Sequence, residues 1–121
     1  MTLLIELEGI PPSVNHAYKK RGRGYGMFMS KTAKEFKEYA SYVAYQAMKK
    51  QKWTKIPRDE NFYRMEIHFH FKNRKHPDPN NLLKVLIDSF EGIVFENDKN
   101  IDVSTFSFVD GEERTVVIFQ K

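Results

Sequence analysis

The sequence predicts an α/β domain with α+β character, its elements in the order β-α-β-α-β-β around one mixed sheet, with helices on at least one face. Three observations carry this. "FYRMEIHFHFK" (62–72) alternates apolar and polar residues, which is the period of a half-buried strand. Residues 31–51 repeat apolar positions at helical spacing. The last twenty residues hold two further apolar runs separated by Asp110-Gly111, a pair favoured in tight turns. At 121 residues the chain suffices for one core, so residues 1–121 are expected to form a single domain.

"TLLIELEG" reads as the first strand, ending at Gly9. "IPPSVNHAY" is expected to be irregular, because two prolines remove backbone donors and fix φ. "KKRGRGYGMFM" holds four basic residues and three glycines, and reads as a loop or hairpin. Its charge suits a phosphate backbone, with Tyr18, Tyr25 and Phe28 available to stack on bases, though a solvated loop is an equal alternative. Ser30, or the Thr32/Glu35 pair, can cap the following helix. Its apolar face is Ala33, Phe36, Ala40, Val43, Ala44 and Ala47, and its opposite face carries Lys31, Lys34, Lys49 and Lys52. A lysine face is usually just solvated, but beside the basic loop it would extend an anion-binding surface.

In the central strand Met65, Ile67, Phe69 and Phe71 point one way and Arg64, Glu66, His68 and His70 the other. A zinc cluster of His68, His70, His76 and Asp78 is conceivable. Alternating polar residues on a sheet face explain the histidines more simply.

Charge is divided along the chain. Residues 1–75 carry 16 Lys and Arg against 7 Asp and Glu, while residues 76–121 carry 4 against 9. A basic first part suits a polyanion and an acidic second part suits a cation. There is no cysteine, which excludes disulfides and thiolate metal sites, so any metal must sit on oxygen or imidazole. No apolar run approaches membrane-spanning length and no signal peptide opens the chain, so no membrane partner and a cytoplasmic setting are expected.

The stretch "HPDPNNLLKVLIDSFEG" (76–92) carries the chemistry. Prolines on both sides hold Asp78 extended and present its carboxylate. Asn80 or Asn81 then caps a helix that runs to about Glu91 and stops at Gly92. Leu82, Leu83, Leu86, Ile87 and Phe90 form its buried face; Asn81, Lys84, Asp88 and Glu91 lie opposite. Lys84 and Asp88 make an ordinary surface ion pair, or else Lys84 stands beside Asp78 and steadies a phosphate. Downstream, "IVFENDKN" returns acidity at Glu96 and Asp98. Mg²⁺ takes oxygen ligands from one or two carboxylates plus a substrate phosphate, and Asp78 with Asp98 would supply them; a plain Asp/Asn-rich loop is the alternative.

With these residues in view, the sequence resembles the RusA-type Holliday junction resolvases, small Mg²⁺-dependent endonucleases of prophages and bacteria. The resemblance rests on "PPSVN" (Pro11, Pro12, Ser13, Asn15) after the first strand, and on the basic loop and helix. It continues through the central strand into a motif like D-x-D-N-x-x-K, read here as Asp78, Asn80, Asn81 and Lys84, then Asp88 and the pair Asn97-Asp98. It covers nearly the whole chain in order. It implies metal binding by Asp78, Asn80 and Asp98, phosphate stabilisation by Lys84, and supporting roles for Asn81, Asp88 and Glu96. It also implies Mg²⁺ as cofactor, with Mn²⁺ substituting and no small-molecule cofactor. The implied partners are an intertwined homodimer and branched DNA, gripped through Asn15, Lys19, Lys20, Arg21, Arg23, Lys31, Lys34, Arg74 and Lys75. The implied function is resolution of four-way junctions by paired phosphodiester hydrolysis. Asn80 and Asn97 depart from the family's aspartates, and an asparagine carbonyl ligates Mg²⁺ without the charge. Two outcomes follow: an enzyme with a reduced carboxylate set, or a junction-binding homologue with weak or lost catalysis.

Overall fold

The computed structural model describes residues 1–20 and 27–121. Strand β1 (Thr2–Glu8) leads through a one-turn helix α1 (Val14–Ala17) to the short strands β2 (Tyr18–Lys20) and β3 (Met27–Met29). Helix α2 (Lys31–Gln51), strand β4 (Tyr63–Phe71) and helix α3 (Leu83–Phe90) follow, and strands β5 (Ile101–Val109) and β6 (Arg114–Gln120) complete the fold. The result is one α+β domain with a four-stranded mixed sheet ordered β1-β6-β4-β5.

β2 and β3 pair antiparallel, so the basic segment is bracketed by a small hairpin. Arg21, Arg23 and Tyr25 lie outside the described residues. The α1 turn corrects the expectation of irregular chain after "IPPS": both prolines precede Val14, so neither disturbs a helical hydrogen bond.

The C-terminal strands do not form the expected hairpin. β6 lies between β1 and β4, antiparallel to both, whereas β5 runs parallel to β4 in the register Tyr63↔Ile101 through Phe71↔Val109. The side chains explain the exchange. β6 turns Thr115, Val117 and Phe119 into the core, all fully buried, while the equivalent face of β5 offers Val103, Thr105, Ser107 and Val109. Burying Phe119 or Val117 is worth about 1.5–3 kcal/mol each, and a Thr/Ser face returns far less, so the apolar strand takes the central place. Parallel pairing of β4 with β5 then needs a crossover, which α3 supplies.

Both long helices cover one face of the sheet. As expected, Ser30 caps α2, its Oγ accepting from the Ala33 N–H at 3.2 Å. Lys52 ends the helix in the left-handed region, with φ of 55°. Early in α2 the Tyr39 hydroxyl accepts from the Glu8 N–H at 2.8 Å; at its end the Gln51 amide bonds both backbone groups of Leu4, at 2.9 and 2.8 Å. α2 therefore runs antiparallel to β1, and α3 runs alongside it, joined by a 2.8 Å bond from Ser41 Oγ to the Ser89 carbonyl. Between helices and sheet lie Leu3, Ile5, Ile67, Phe69, Leu86, Phe90 and Phe119, none of them accessible. Both helices thus begin at the edge of the sheet where β1 and β4 finish, called here the exit end.

Candidate active site

Asp78 sits at that exit end. The chain leaves β4 at Phe71, and His76 stacks its ring on Phe71 at 3.9 Å and 9° while its Nδ1–H donates to the Pro77 carbonyl at 2.8 Å. Two residues later Asp78 is extended, with φ of −62° and ψ of 124°, as its flanking prolines require, and it is exposed. Its Oδ1 accepts from the Asn80 N–H at 3.0 Å, and its backbone carbonyl accepts from the Asn81 N–H at 2.9 Å.

This corrects the expected cap. Asp78, not Asn80 or Asn81, caps the segment, and what it caps is a 3-10 turn over Pro79–Leu82 that flows into α3. Pro79 at the turn's first position, with no N–H to satisfy, makes Asp78 the natural capping position. Asn80 is exposed and Asn81 half-buried, and neither side chain is needed to start the helix. On α3 the inaccessible residues are Leu82, Val85, Leu86 and Phe90, with Ser89 nearly so and Leu83 and Ile87 only half-buried. The helix is thus rotated slightly toward Val85, which packs with Ala33 and Phe36 of α2. That contact sets the first turns of the two helices side by side.

Lys84 faces outward one turn into this arrangement, with Nζ 3.4 Å from Asp88 Oδ2. Lys31 and Lys34 are exposed on the first turn of α2, and Arg74 and Lys75 are exposed on the loop leaving β4. Asn15 is exposed on α1, which touches both the 3-10 turn and α3. Lys19 and Lys20 fall on β2. One end of the molecule therefore gathers a presented carboxylate, two asparagines and a set of cations. Lys49 and Lys52 do not join it: α2 has 21 residues, roughly 30 Å of helix, and they stand at its other end.

Asp98 does not join it either. Asp98 opens a 3-10 turn, Asp98–Asn100, that leads into β5 at Ile101, opposite Tyr63 and thus at the far end of β4. Asn100 ties that end down, its Nδ2 donating to the Pro57 carbonyl at 3.0 Å, and Glu96 Oε2 accepts from the Arg58 N–H at 3.2 Å. Nearby, the Asp59 carboxylate receives the Tyr63 hydroxyl at 2.7 Å and the Asn61 N–H at 2.9 Å. These bonds, Tyr63 first, hold its pKa below the ordinary carboxylate value. The 3-10 turn and α3 intervene between Asp78 and the loop carrying Asp98, on the order of 15–20 Å of chain axis. Among the described residues no group of three His, Cys, Asp or Glu side chains is placed to hold a metal.

The histidines do not converge on zinc. His68 and His70 lie on the open face of the sheet, against Phe106 and Phe108 with ring centroids 4.9–5.7 Å apart, whereas His76 lies against Phe71. His70 Nδ1 is 2.7 Å from Asp110 Oδ2, and this bond is the main cause that lowers the Asp110 pKa. The contribution of His76 was not foreseen: it anchors the loop that aims Asp78, and the only sequence signal for it was its place just before Pro77.

The presented carboxylate of Asp78 thus lies at the same end of the fold as the exposed cations Lys31, Lys34, Arg74 and Lys75. A family model described as endodeoxyribonuclease RusA matches residues 8–119. The chain belongs to the RusA endodeoxyribonuclease family. No relative was found among curated proteins. No helix among the described residues is long and apolar enough to cross a membrane.

Proposed function

We propose that this protein is a homodimeric, divalent-metal-dependent endodeoxyribonuclease that resolves four-way DNA junctions by paired strand cleavage. What supports the reading is the exit end itself, the end of the fold at which Asp78, Asn80 and Lys84 and the exposed Lys31, Lys34, Arg74 and Lys75 all lie.

Each group has a task set by its chemistry. Lys31, Lys34, Arg74 and Lys75, with Asn15 and the basic segment containing Lys19, Lys20, Arg21 and Arg23, engage phosphates without reading bases. Lys84 donates to a non-bridging oxygen of the scissile phosphate, where negative charge grows during in-line attack. Asp88, one turn toward the C-terminus, holds that ammonium along the outer face of α3. Asp78 and the side-chain carbonyl of Asn80 would supply oxygen ligands to Mg²⁺ or Mn²⁺, which when bound would polarise the phosphate and lower the pKa of a water.

One carboxylate and one carbonyl are a thin ligand set, and Asp98 stands at the other end of its own chain. A two-fold dimer resolves this by lending Asp98 of the partner subunit to each Asp78, so that two equivalent sites form, one for each cut strand. The donor set fits a divalent ion only in that paired form.

The test is a synthetic four-way junction incubated with Mg²⁺ or Mn²⁺ and, separately, with chelator. Paired symmetric nicks that need the metal are expected; intact junction at saturating protein sinks the enzyme reading and leaves a junction binder. A second arm mixes two inactive variants, Asp78→Asn and Asp98→Asn. If sites are shared, the mixed dimer holds one intact site and nicks one strand; if each chain is self-sufficient, the mixture stays inactive.

A further inference from the structure

Helix α2 carries a repeat that reaches beyond the exit end. Lys31 and Lys34 stand in its first turn, while Lys49 and the capping Lys52 stand at its end, and all four are exposed. Lys31 recurs as Lys49 and Lys34 as Lys52, each after 18 residues. That interval is five whole helical turns, so the two pairs share one side of the helix and lie about 27 Å apart. Between them Tyr42 and Tyr45 are 65% and 53% exposed, on the side away from the buried Ala33, Ala40 and Ala44. Neither ring belongs to the core between helices and sheet. Lys49 Nζ lies 5.4 Å from the centre of the Tyr45 ring, an attraction that keeps the ammonium beside the aromatic pair.

We infer that the outer face of α2 is the seat of one duplex arm of a four-way junction, laid from the exit end toward the C-terminal end of the helix. The inference rests on the junction reading above. A rod lying along a duplex meets a given strand once per DNA turn, about 34 Å, and flexible lysine stems make up the difference from the spacing of the two pairs. Glu35 and Glu38 follow the first pair, with Lys31 Nζ 4.0 Å from Glu35 Oε1. Their charge repels phosphate from that turn, so the attraction falls at two separated points instead of along a continuous stripe. An acidic protein would be drawn to the same lysines, but it has no repeat that matches their spacing. Tyr42 and Tyr45 complete the seat, because phenolic hydroxyls donate to phosphate oxygens without reading bases. The first turns of α2 and α3 lie at the end of the fold that carries Asp78, so the arm extends away from the proposed point of cleavage.

The spacing sets an arm length. Reaching Lys49 and Lys52 takes about eight base pairs at about 3.4 Å each. Junction arms of about 6 base pairs, kept paired by interstrand cross-links, therefore stop short of the second pair, while arms of about 16 pass it.

The test compares the two junctions by fluorescence anisotropy in chelator. The probe variant is Lys49→Ala with Lys52→Asn, since asparagine tolerates the left-handed φ of 55° found at Lys52. On long arms its slope of log affinity against log salt should be lower than the parent's by about 1.8, and on short arms it should match the parent. Tyr42→Phe with Tyr45→Phe keeps the rings and should weaken long-arm binding by about fivefold. Both variants should retain the circular dichroism of the parent. Equal losses on both arm lengths, or no loss on either, overturn the seat, and a parent that still cuts junctions then keeps the nuclease reading. Tyr42→Ala with Tyr45→Ala that binds DNA like the parent but alters the native mass marks a protein contact and also overturns the seat. Losses confined to long arms, in a protein that cuts no junction with Mg²⁺, uphold the seat and remove the nuclease reading.

Discussion

Asp78 accepts the Asn80 N–H at 3.0 Å, so the carboxylate proposed to hold metal also caps the turn that starts α3. The two tasks separate by substitution. Asp78→Asn keeps a capping oxygen and removes the charge; junction cleavage should fall by at least about 100-fold, since the metal and its transition-state stabilisation are lost together. Melting temperature should hold within about 2 °C, because Asn and Asp cap comparably. Asp78→Ala should add a loss of about 0.5–2 kcal/mol in stability, read by urea unfolding. A fully active Asp78→Asn variant would remove Asp78 from the site.

Asn80 is exposed and contributes only its backbone N–H to the turn, so its side chain can change without disturbing α3. Asn80→Asp restores a negative ligand beside Asp78. Faster cleavage and a lower Mg²⁺ concentration for half-maximal rate are expected, both measured on one labelled junction. An unchanged metal dependence would mean that another group already supplies this charge.

Lys84 and Asp88 are 3.4 Å apart on an accessible helix face, and an i,i+4 pair there is worth only about 0.2–0.5 kcal/mol. Lys84→Met should therefore barely move the unfolding midpoint while lowering the single-turnover cleavage rate by roughly 10–1,000-fold. Asp88→Asn should cost less than Lys84→Met. Equal losses of rate and stability would reduce Lys84 to a structural residue.

Arg74 and Lys75 are exposed on the loop between β4 and Asp78. If each meets one phosphate, replacing both with Ala should lower the slope of log affinity against log salt by about 1.8. Junction binding measured between low and moderate salt reads this directly, and an unchanged slope would place both residues off the DNA.

Asp59, held by Tyr63 and the Asn61 N–H, has a folded-state pKa below its unfolded value. Its contribution is present above the unfolded carboxylate pKa, near 3.9, and disappears as pH falls through the lower folded value. Thermal melts from pH 5 down to pH 2.5 should thus fall more steeply for the parent than for Asp59→Asn. Parallel curves would show that Asp59 does not contribute to acid sensitivity.

Much of this was legible in the sequence. The alternation around Met65, Ile67, Phe69 and Phe71 marked β4, and Ser30 with the apolar spacing of α2 marked a helix found at Lys31–Gln51. Those are local properties: a strand's period and a cap's chemistry are carried by neighbours in the chain. The prolines around Asp78 likewise set its extended backbone without tertiary help.

The tertiary arrangement departs from the sequence reading for one reason. Asp110-Gly111 suggested a hairpin, and the turn exists, with φ of 87° at Gly111, but it carries the chain past β4 rather than back along β5. Which strand pairs with which depends on competition for the buried centre, and Val117 and Phe119 of β6 outweigh Thr105 and Ser107 of β5. Asp78 and Asp98 looked like neighbours because only twenty positions separate them, yet α3 fills that interval and, as a rigid rod, holds its two ends apart.

By itself the sequence determined the principal strands and helices, the extended backbone of Asp78 and the family to which the chain belongs, because these follow from short-range stereochemistry and residue identity. Only the tertiary structure decided that the first turn of α2 and the β4 loop lie at the same end as Asp78, that Asp98 lies at the opposite end, and that β6, not β5, takes the sheet's centre. Those facts depend on how helices and strands share one buried face, a balance of apolar area over the whole sheet that no local stretch contains.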